Sequence, residues 1–182
     1  MAIAPPFNLN QWVEENRDLL KPPVGNKNLY KDADDYIVMV VAGPNARKDY
    51  HYNETEELFY QLEGEIEIHI QDDRQKKTMR LGPGDMYLHP AKVPHSPVRY
   101  EGSIGLVVER KRKDMQVDDG LLWFCDACNH KLYEVYFTLE DIETDFLRHF
   151  EIFYGSEELR TCENCGTVMD VDERFVAKTD PS

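Results

Sequence analysis

Turn signals recur at short intervals between residues 43 and 105 and constrain the fold more than any other feature. They are Gly43-Pro44, Glu63-Gly64, Asp72-Asp73, Gly82-Pro83-Gly84, Gly102 and Gly105. Strand-like segments lie between them, and in one of these Ile66, Ile68 and Ile70 alternate with polar residues as in a half-buried strand. Many short strands without an intervening helix predict an all-β fold, namely an antiparallel sandwich or jelly roll.

Helical patterns appear only outside this region. Residues 10–20 place apolar side chains near helical spacing, with Asn10 as a candidate N-cap and Pro22-Pro23 as a stop. Residues 139–153 carry apolar side chains at three- and four-residue intervals, which predicts an amphipathic helix ended by Gly155. The charged segment 110–120 is a linker candidate. We therefore expect a catalytic domain at 1–112 and an appendage with a polar tail at 113–182.

The charge balance limits the partners of this chain. The formal net charge is −14, from 21 Lys and Arg against 35 Asp and Glu, and such a surface repels nucleic acids and anionic membranes. An anionic substrate would need a local cluster of arginines. The N-terminus lacks the features of a secretory signal, and the longest apolar run, 37–42, is too short to span a bilayer. These observations predict a cytoplasmic protein.

Two histidines and one carboxylate are candidates for a single metal site. His51 and Glu57 lie six residues apart across a turn-prone segment, and His95 follows a Gly-Pro-Gly turn, so it comes from a separate strand. Mononuclear iron(II) oxygenases use such a set on one face of the metal and keep the other positions open. Glu54 and Glu56 are competing carboxylates that spacing does not exclude.

The other four histidines are expected to bind no metal. We expect His69 to point outward from its strand and His149 to lie on a helix. His89 and His130 are expected in exposed loops.

Three charged residues flank the candidate metal site. Arg47 and Arg99 each lie four residues from one of its histidines, and a guanidinium matches a carboxylate in two parallel hydrogen bonds. Glu109 ends an apolar strand, where an acid with a perturbed pKa could accept a substrate proton. The alternative for Glu109 is a surface ion pair with its basic neighbours.

All four cysteines lie in two Cys-x-x-Cys pairs, Cys125 with Cys128 and Cys162 with Cys165. Four thiolates from two such pairs predict a closed tetrahedral site with a structural role, filled by zinc or iron. The alternative is a set of redox dithiols or free cysteines. Asn129 and Gly166 follow the pairs and tolerate the left-handed backbone that such a turn needs.

The candidate residues fall in two motifs that resemble those of the cupin superfamily. The first contains Gly43, His51, Glu57 and Gly64, and the second contains Gly84, Pro90 and His95. Asp49 stands where cupins often carry a further histidine, which leaves three protein ligands and an additional open position.

The chain resembles the 3-hydroxyanthranilate 3,4-dioxygenase family from about Pro5 to Gly166. The segments that carry the resemblance are PPFN, LKPPVGN, VAGPNARKDYHYNETEELFYQL, HPAKVPHSPVR, VVER, WFCDACNH and CENCG. The resemblance implies a cupin jelly-roll barrel (a double-stranded β-helix) with a short N-terminal helix. It also implies a small rubredoxin-like C-terminal appendage that contains one helix and holds a second metal.

The resemblance also implies the roles of the site residues. Iron(II) ligands fall on His51, Glu57 and His95, and substrate contacts fall on Arg47, Glu57, Arg99 and Glu109. Asp49 matches a residue expected to hydrogen-bond in the dioxygen region, and the catalytic set is then Arg47, Asp49, Arg99 and Glu109.

The implied reaction joins 3-hydroxyanthranilate with O2 to give 2-amino-3-carboxymuconate semialdehyde, the precursor of quinolinate. This reaction belongs to the kynurenine pathway of tryptophan catabolism and to NAD biosynthesis, and the implied assembly is a homodimer. The alternatives are a cupin dioxygenase acting on another aminophenol or catechol carboxylate, or a metal-binding cupin sensor without catalytic activity.

Overall fold

The computed structural model describes residues 5–21, 25–45, 47–112, 115, 117–139 and 142–176. Most of this part of the chain forms antiparallel strands. They are β1 (Asn26–Asn28), β2 (Tyr36–Ala42), β3 (Tyr50–Tyr52), β4 (Glu57–Glu63), β5 (Ile66–Asp72), β6 (Gln75–Leu81), β7 (Met86–His89), β8 (His95–Arg99), β9 (Ile104–Arg110), β10 (Asp119–Phe124) and β11 (Lys131–Phe137).

The strands form two sheets that pack face to face. One sheet has the order β1-β2-β9-β4-β7, and the other has the order β11-β10-β3-β8-β5-β6. Phe59 and Val107 of the first sheet share a buried cluster with Ile66, Ile68 and Ile70 of the second. The alternation along β5 therefore places its isoleucines inside, as predicted, and the all-β jelly roll is confirmed.

The helices lie at the two ends of the chain. They are α1 (Leu9–Glu15), α2 (Ile142–Gly155) and α3 (Glu157–Arg160), with short 3-10 turns at Arg17–Leu20 and Glu173–Phe175. The amphipathic helix that ends at Gly155 is confirmed. Within the described ranges, no helix is long and apolar enough to cross a membrane.

The N-cap of α1 differs from the sequence-based prediction. Asn8 caps the helix, because its Oδ1 accepts a hydrogen bond from the backbone N–H of Gln11 at 3.0 Å. Asn10 lies one residue inside the helix, so its prediction as the cap was wrong. A cap side chain reaches the amide of the second or third helical residue, and Asn8 has the spacing that this needs. The predicted stop at Pro22-Pro23 lies outside the described residues.

The C-terminal part of the chain continues the sheet of the barrel. Strand β10 pairs with β3, where Leu121 lies opposite His51. Trp123 of β10 stacks on Phe153 of α2 with ring centroids 4.4 Å apart. The prediction of a linker at 110–120 was wrong at both ends, because Arg110 is the last residue of β9 and Asp119 is the first residue of β10. The division into domains at 112/113 stays a prediction.

The segment after β2 is hydrogen-bonded to the end of β8, the strand that carries Arg99. A side chain at Gly43 would place its Cβ 2.1 Å from the backbone oxygen of Tyr100, so the close approach requires glycine. The backbone N–H of Asn45 donates to Arg99 O at 3.0 Å, and Asn45 Oδ1 accepts from Arg99 N–H at 3.0 Å. The segment that leads to Arg47 is therefore held against the end of β8.

Candidate active site

Two neighbouring strands of one sheet and one strand of the other bring the predicted metal ligands together. His51 of β3 lies directly opposite His95 of β8, and Glu57 is the first residue of β4. All three are buried, and one candidate ligand atom from each lies within 4.8 Å of the other two. Glu57 Oε2 is 2.9 Å from His95 Nε2. Adjacent ligands of an octahedral ion with bonds of about 2.1 Å are about 3 Å apart, so this set fits one ion.

The competing carboxylates are directed elsewhere. Glu54 pairs with Lys92 at 3.3 Å, and Glu56 is exposed. Only Glu57 of these three acids belongs to the cluster with the two histidines.

The histidines keep Glu57 ionised inside the barrel. Burial by itself raises the pKa of a carboxyl group, because the charged form loses its hydration. The positive charge and hydrogen bond of His95, with a further contribution from His51, outweigh this effect and lower the pKa of Glu57 to about 2. A buried anion beside two imidazoles is the electrostatic arrangement that a divalent cation stabilises.

His89 lies next to this cluster, which corrects a sequence-based prediction. It was expected in an exposed loop, but it closes β7, faces Glu57 across the β4–β7 ladder and is fully buried. Its Nε2–H donates to the backbone oxygen of Val93 at 2.8 Å, and its ring centroid is 4.3 Å from that of His95. Burial lowers the pKa of His89 to about 4, so a neutral imidazole packs against His95. The sequence of β7 carries no signal for this, because its apolar residues Met86 and Leu88 are the exposed ones.

Arg47 is held by Asp49 at the end of the segment that follows β2. Nε of Arg47 donates to both carboxylate oxygens of Asp49, at 3.1 and 3.2 Å, and Nη2 donates to Oδ2. Burial opposes the cation, but Asp49 and Glu57 keep the pKa of Arg47 above its usual value. Asp49 therefore orients Arg47 through Nε and Nη2.

Arg99 is a buried cation whose charge is only partly balanced by nearby acids. Arg99 is 2% exposed, and its Nη1 has no hydrogen-bond partner among the described residues. Burial lowers the pKa of Arg99 to about 10, against the attraction of Glu57. A Cβ at Gly105 would lie 3.1 Å from Nη1, so the glycine leaves room beside the guanidinium. An unpaired buried guanidinium is a binding position for an anion.

Glu109 lies opposite Glu57 in the β4–β9 ladder and is 3% exposed. Burial and the negative charge of Glu57 raise the pKa of Glu109, although Arg112 acts in the opposite direction. Its ion pair with Arg112, at 2.7 Å, is buried rather than exposed. The alternative, in which Glu109 forms an ion pair at the protein surface, was therefore wrong.

Sequence reasoning missed three side chains that contact these residues. Arg112 bridges Glu109 and Asp119, and Asp119 Oδ1 lies 2.7 Å from Nε2 of His51. The ring of Phe146 meets that of His51 edge-on, with centroids 5.2 Å apart. Arg112 and Asp119 fall in the segment that looks like a linker. The apolar run directly after Asp119 was the one signal that a strand begins there.

The four cysteines form a second cluster at the other end of β10. Cys125 Sγ is 3.6 Å from Cys165 Sγ, and Cys128 Sγ is 3.6 Å from Cys162 Sγ. Thiolates around a tetrahedral ion with bonds of about 2.3 Å are about 3.8 Å apart, so the cluster fits one ion. Asn129 and Gly166 have φ values of 58° and 76°, which confirms the predicted left-handed turns.

The chain is similar in sequence to a family of known proteins over most of its length. The sequence model of a family described as 3-hydroxyanthranilic acid dioxygenase matches residues 1–154. A protein of Xanthomonas campestris pv. campestris (strain 8004), named 3-hydroxyanthranilate 3,4-dioxygenase, is 54% identical over 175 residues, which cover 96% of this chain and 98% of that protein. A protein of the same name from Bacillus thuringiensis (strain Al Hakam) is 42% identical over 164 residues, covering 90% of each. Among solved structures, a cupin-2 domain containing protein from Shewanella frigidimarina NCIMB 400 is 22% identical with a TM-score of 0.47, covering 58% of this chain and 94% of that one.

Proposed function

The chain belongs to the 3-hydroxyanthranilic acid dioxygenase family, and we propose that it cleaves the ring of 3-hydroxyanthranilate with dioxygen. The bond between ring carbons 3 and 4 breaks, and both atoms of O2 enter the product, 2-amino-3-carboxymuconate semialdehyde. The observation that carries this proposal is the buried His51, Glu57 and His95 cluster beside Arg99, whose Nη1 has no partner among the described residues.

Iron(II) is the proposed ion at this cluster. Two imidazoles and one carboxylate on one side of an ion leave its other positions open, as in non-heme iron(II) oxygenases. Iron(II) in that position would supply the redox chemistry that a reaction with dioxygen needs. The surrounding residues bind and orient the substrate and keep water out.

Arg47 and Arg99 are the proposed carboxylate clamp. Arg99 presents a buried guanidinium nitrogen without a partner among the described residues, and the Asp49 carboxylate holds Arg47 through Nε and Nη2. Because both guanidinium groups are planar forks, a substrate carboxylate between them would form charge-assisted hydrogen bonds. Asp49 is proposed to hydrogen-bond in the dioxygen region, next to the guanidinium of Arg47 that it holds.

Glu109 is the proposed acceptor of the substrate hydroxyl proton. A carboxylate whose pKa is raised by burial and by Glu57 holds a proton more strongly than one in water, which suits a general base. The ion pair with Arg112 keeps this carboxylate in one orientation. Glu57 is also proposed to line the substrate position.

The cysteine cluster is proposed to hold zinc or iron in a structural role. Four thiolates fill a tetrahedral ion completely and leave no position for a substrate. We also propose the cytoplasm as the location of the protein.

A homodimer is the proposed assembly, as the family resemblance implies. The outward face of the sheet edge formed by β4 and β7 is apolar: Met86 and Leu88 are 65% and 54% exposed, and Leu58 and Tyr60 lie beside them. Exposed apolar patches of this kind mark protein–protein contacts.

The activity is tested by loading the protein with iron(II) without oxygen and then adding 3-hydroxyanthranilate and air. We expect absorbance of the semialdehyde to appear with one O2 consumed per substrate. A catechol carboxylate such as 2,3-dihydroxybenzoate serves as the competing substrate. Faster turnover of that compound, or no turnover of either, would contradict the proposal.

The two clusters predict separate changes in metal content. His51→Ala should lose the ion of the catalytic site and all turnover while it retains the ion of the cysteine cluster, because the two clusters share no residue. Cys162→Ser should show the reverse loss. Elemental analysis of the purified variants measures both, with His69→Ala as a control outside either cluster. Full metal content in His51→Ala would remove that residue from the site.

Arg99→Ala should raise KM about 10- to 100-fold, because a charge-assisted contact to a carboxylate contributes about 1.5–3 kcal/mol. The iron content should stay the same, since Arg99 is not a ligand. Steady-state kinetics test this against Arg80→Ala, whose side chain is 83% exposed. Equal KM values for the two variants would place Arg99 outside the substrate pocket.

The proposed dimer predicts that light scattering coupled to gel filtration gives twice the mass of the chain. Leu88→Glu should give a monomer, because a buried unpaired charge is unfavourable in an apolar contact. Leu147→Glu, at a residue 43% exposed on α2, is the matched control. A dimer that survives Leu88→Glu would exclude this face as the interface.

A further inference from the structure

Arg112 lies at the centre of a buried charge network that extends beyond Glu109 to Asp119. Its side chain is 3% exposed, and every polar contact goes to the barrel interior or to the chain beside it. Nη1 donates to Glu109 Oε2 at 2.7 Å and to the backbone oxygen of Arg110 at 2.9 Å. Nε and Nη2 donate to the two carboxylate oxygens of Asp119 at 2.9 and 2.8 Å.

Asp119 continues this network to the candidate metal site. Its side chain is fully buried, and Oδ1 lies 2.7 Å from Nε2 of His51. A carboxylate that accepts the N–H of a metal-binding histidine fixes the ring orientation and leaves the other ring nitrogen for the ion. Asp119 is therefore placed to orient His51, and the bidentate contact with Arg112 is placed to orient Asp119.

From these contacts we propose that Arg112 and Asp119 are positioning residues. They hold the proton acceptor Glu109 and the metal ligand His51 in fixed positions relative to each other. Neither residue is among the proposed substrate contacts. Arg112 acts through Glu109 on one side and through Asp119 and His51 on the other. This inference rests on the proposed function for the role of Glu109, whereas the contact of Asp119 with His51 is independent of the substrate.

The geometry of the guanidinium is central to the proposal. Arginine presents its donors in a rigid plane, so one side chain meets two oxygens of Asp119 in parallel and a third oxygen on Glu109. A lysine ammonium supplies the charge but is a compact group at the end of a flexible chain. Arg112→Lys therefore keeps the charge in the network and removes the fixed orientation of the two carboxylates.

The experiment uses Arg112→Lys and Asp119→Asn in the full-length protein. The exposed neighbour Arg110 provides the matched control, Arg110→Lys. The first measurement is the affinity for manganese(II), followed by the loss of the free-ion EPR signal, because this ion prefers nitrogen and oxygen ligands to thiolates. The second is the separation of kcat from KM for 3-hydroxyanthranilate in the iron-loaded enzyme.

Asp119→Asn should bind manganese(II) about 10- to 100-fold more weakly, the range seen when the partner of a metal-binding histidine is replaced. Arg112→Lys should lose less affinity, but it should lower kcat at least about tenfold with KM within about twofold, because the clamp of Arg47 and Arg99 is intact. Arg110→Lys should change neither quantity.

Three results would overturn the proposal. One is manganese(II) affinity in Asp119→Asn equal to that of the control. Another is kcat in Arg112→Lys within about twofold of the control. The last is a joint change of kcat and KM with a lower melting temperature and unchanged metal affinity, which indicates a merely structural ion pair. If the single variants do not fold, the double variant Arg112→Gln with Asp119→Asn, which removes one positive and one negative charge and so leaves the net charge of the network unchanged, is measured in the same way and judged by the same criteria.

The proposed function and this inference fail in different ways. If the unaltered protein does not turn over 3-hydroxyanthranilate, the proposed function is wrong, and the manganese(II) titrations of both variants alone decide the inference. If it does turn over the substrate and the variants match the control, only the inference is wrong.

Discussion

Charged side chains buried inside a small barrel are the constraint on which this structure depends. An ionised group without a partner in a site of low dielectric is strongly unfavourable, yet the interior holds Glu57, Glu109 and Asp119. Arg112 compensates two of these acids directly. Glu57 faces two imidazoles, and a divalent ion among them would complete the compensation. The arrangement of the proposed ligands, base and clamp thus follows from where each buried charge meets an opposite charge.

The C-terminal part of the chain takes part in this balance. Strand β10 contributes Asp119 next to His51, and α2 contributes Phe146 against the ring of the same histidine. The cysteine cluster is joined to the barrel by a reciprocal amide pair, in which Gln71 and Asn129 donate to each other at 2.8 and 2.9 Å. A structural ion between the cysteines would hold these elements against the barrel, so its effect on the active site is mechanical.

The sequence was sufficient for the fold and for the ligand cluster, but not for the residues around them. His51, Glu57 and His95 could be predicted because each lies in a short motif bounded by turn residues. Asp119 could not, since it meets His51 across 68 residues and lies in a stretch whose charges look solvated. His89 was misjudged because a histidine beside a proline resembles a loop residue, whereas its strand register places it inside. Long-range pairing decides such positions, and local pattern does not report it.

The contrast between the acidic surface and the interior cation bears on substrate choice. With a net charge of −14, the surface as a whole does not attract an anionic substrate, so recognition has to come from inside the pocket. There Arg99 is buried with an unpaired nitrogen among the described residues, and a neutral aminophenol would leave it unpaired in the complex as well. A site with a buried polar group that only the correct ligand satisfies rejects analogues lacking that partner more strongly than a site that relies on apolar fit. If the proposed substrate binds there, its carboxylate would do more than hold the ring in place: it would complete the charge balance of the barrel, and this requirement would separate a carboxylated aminophenol from its neutral relatives.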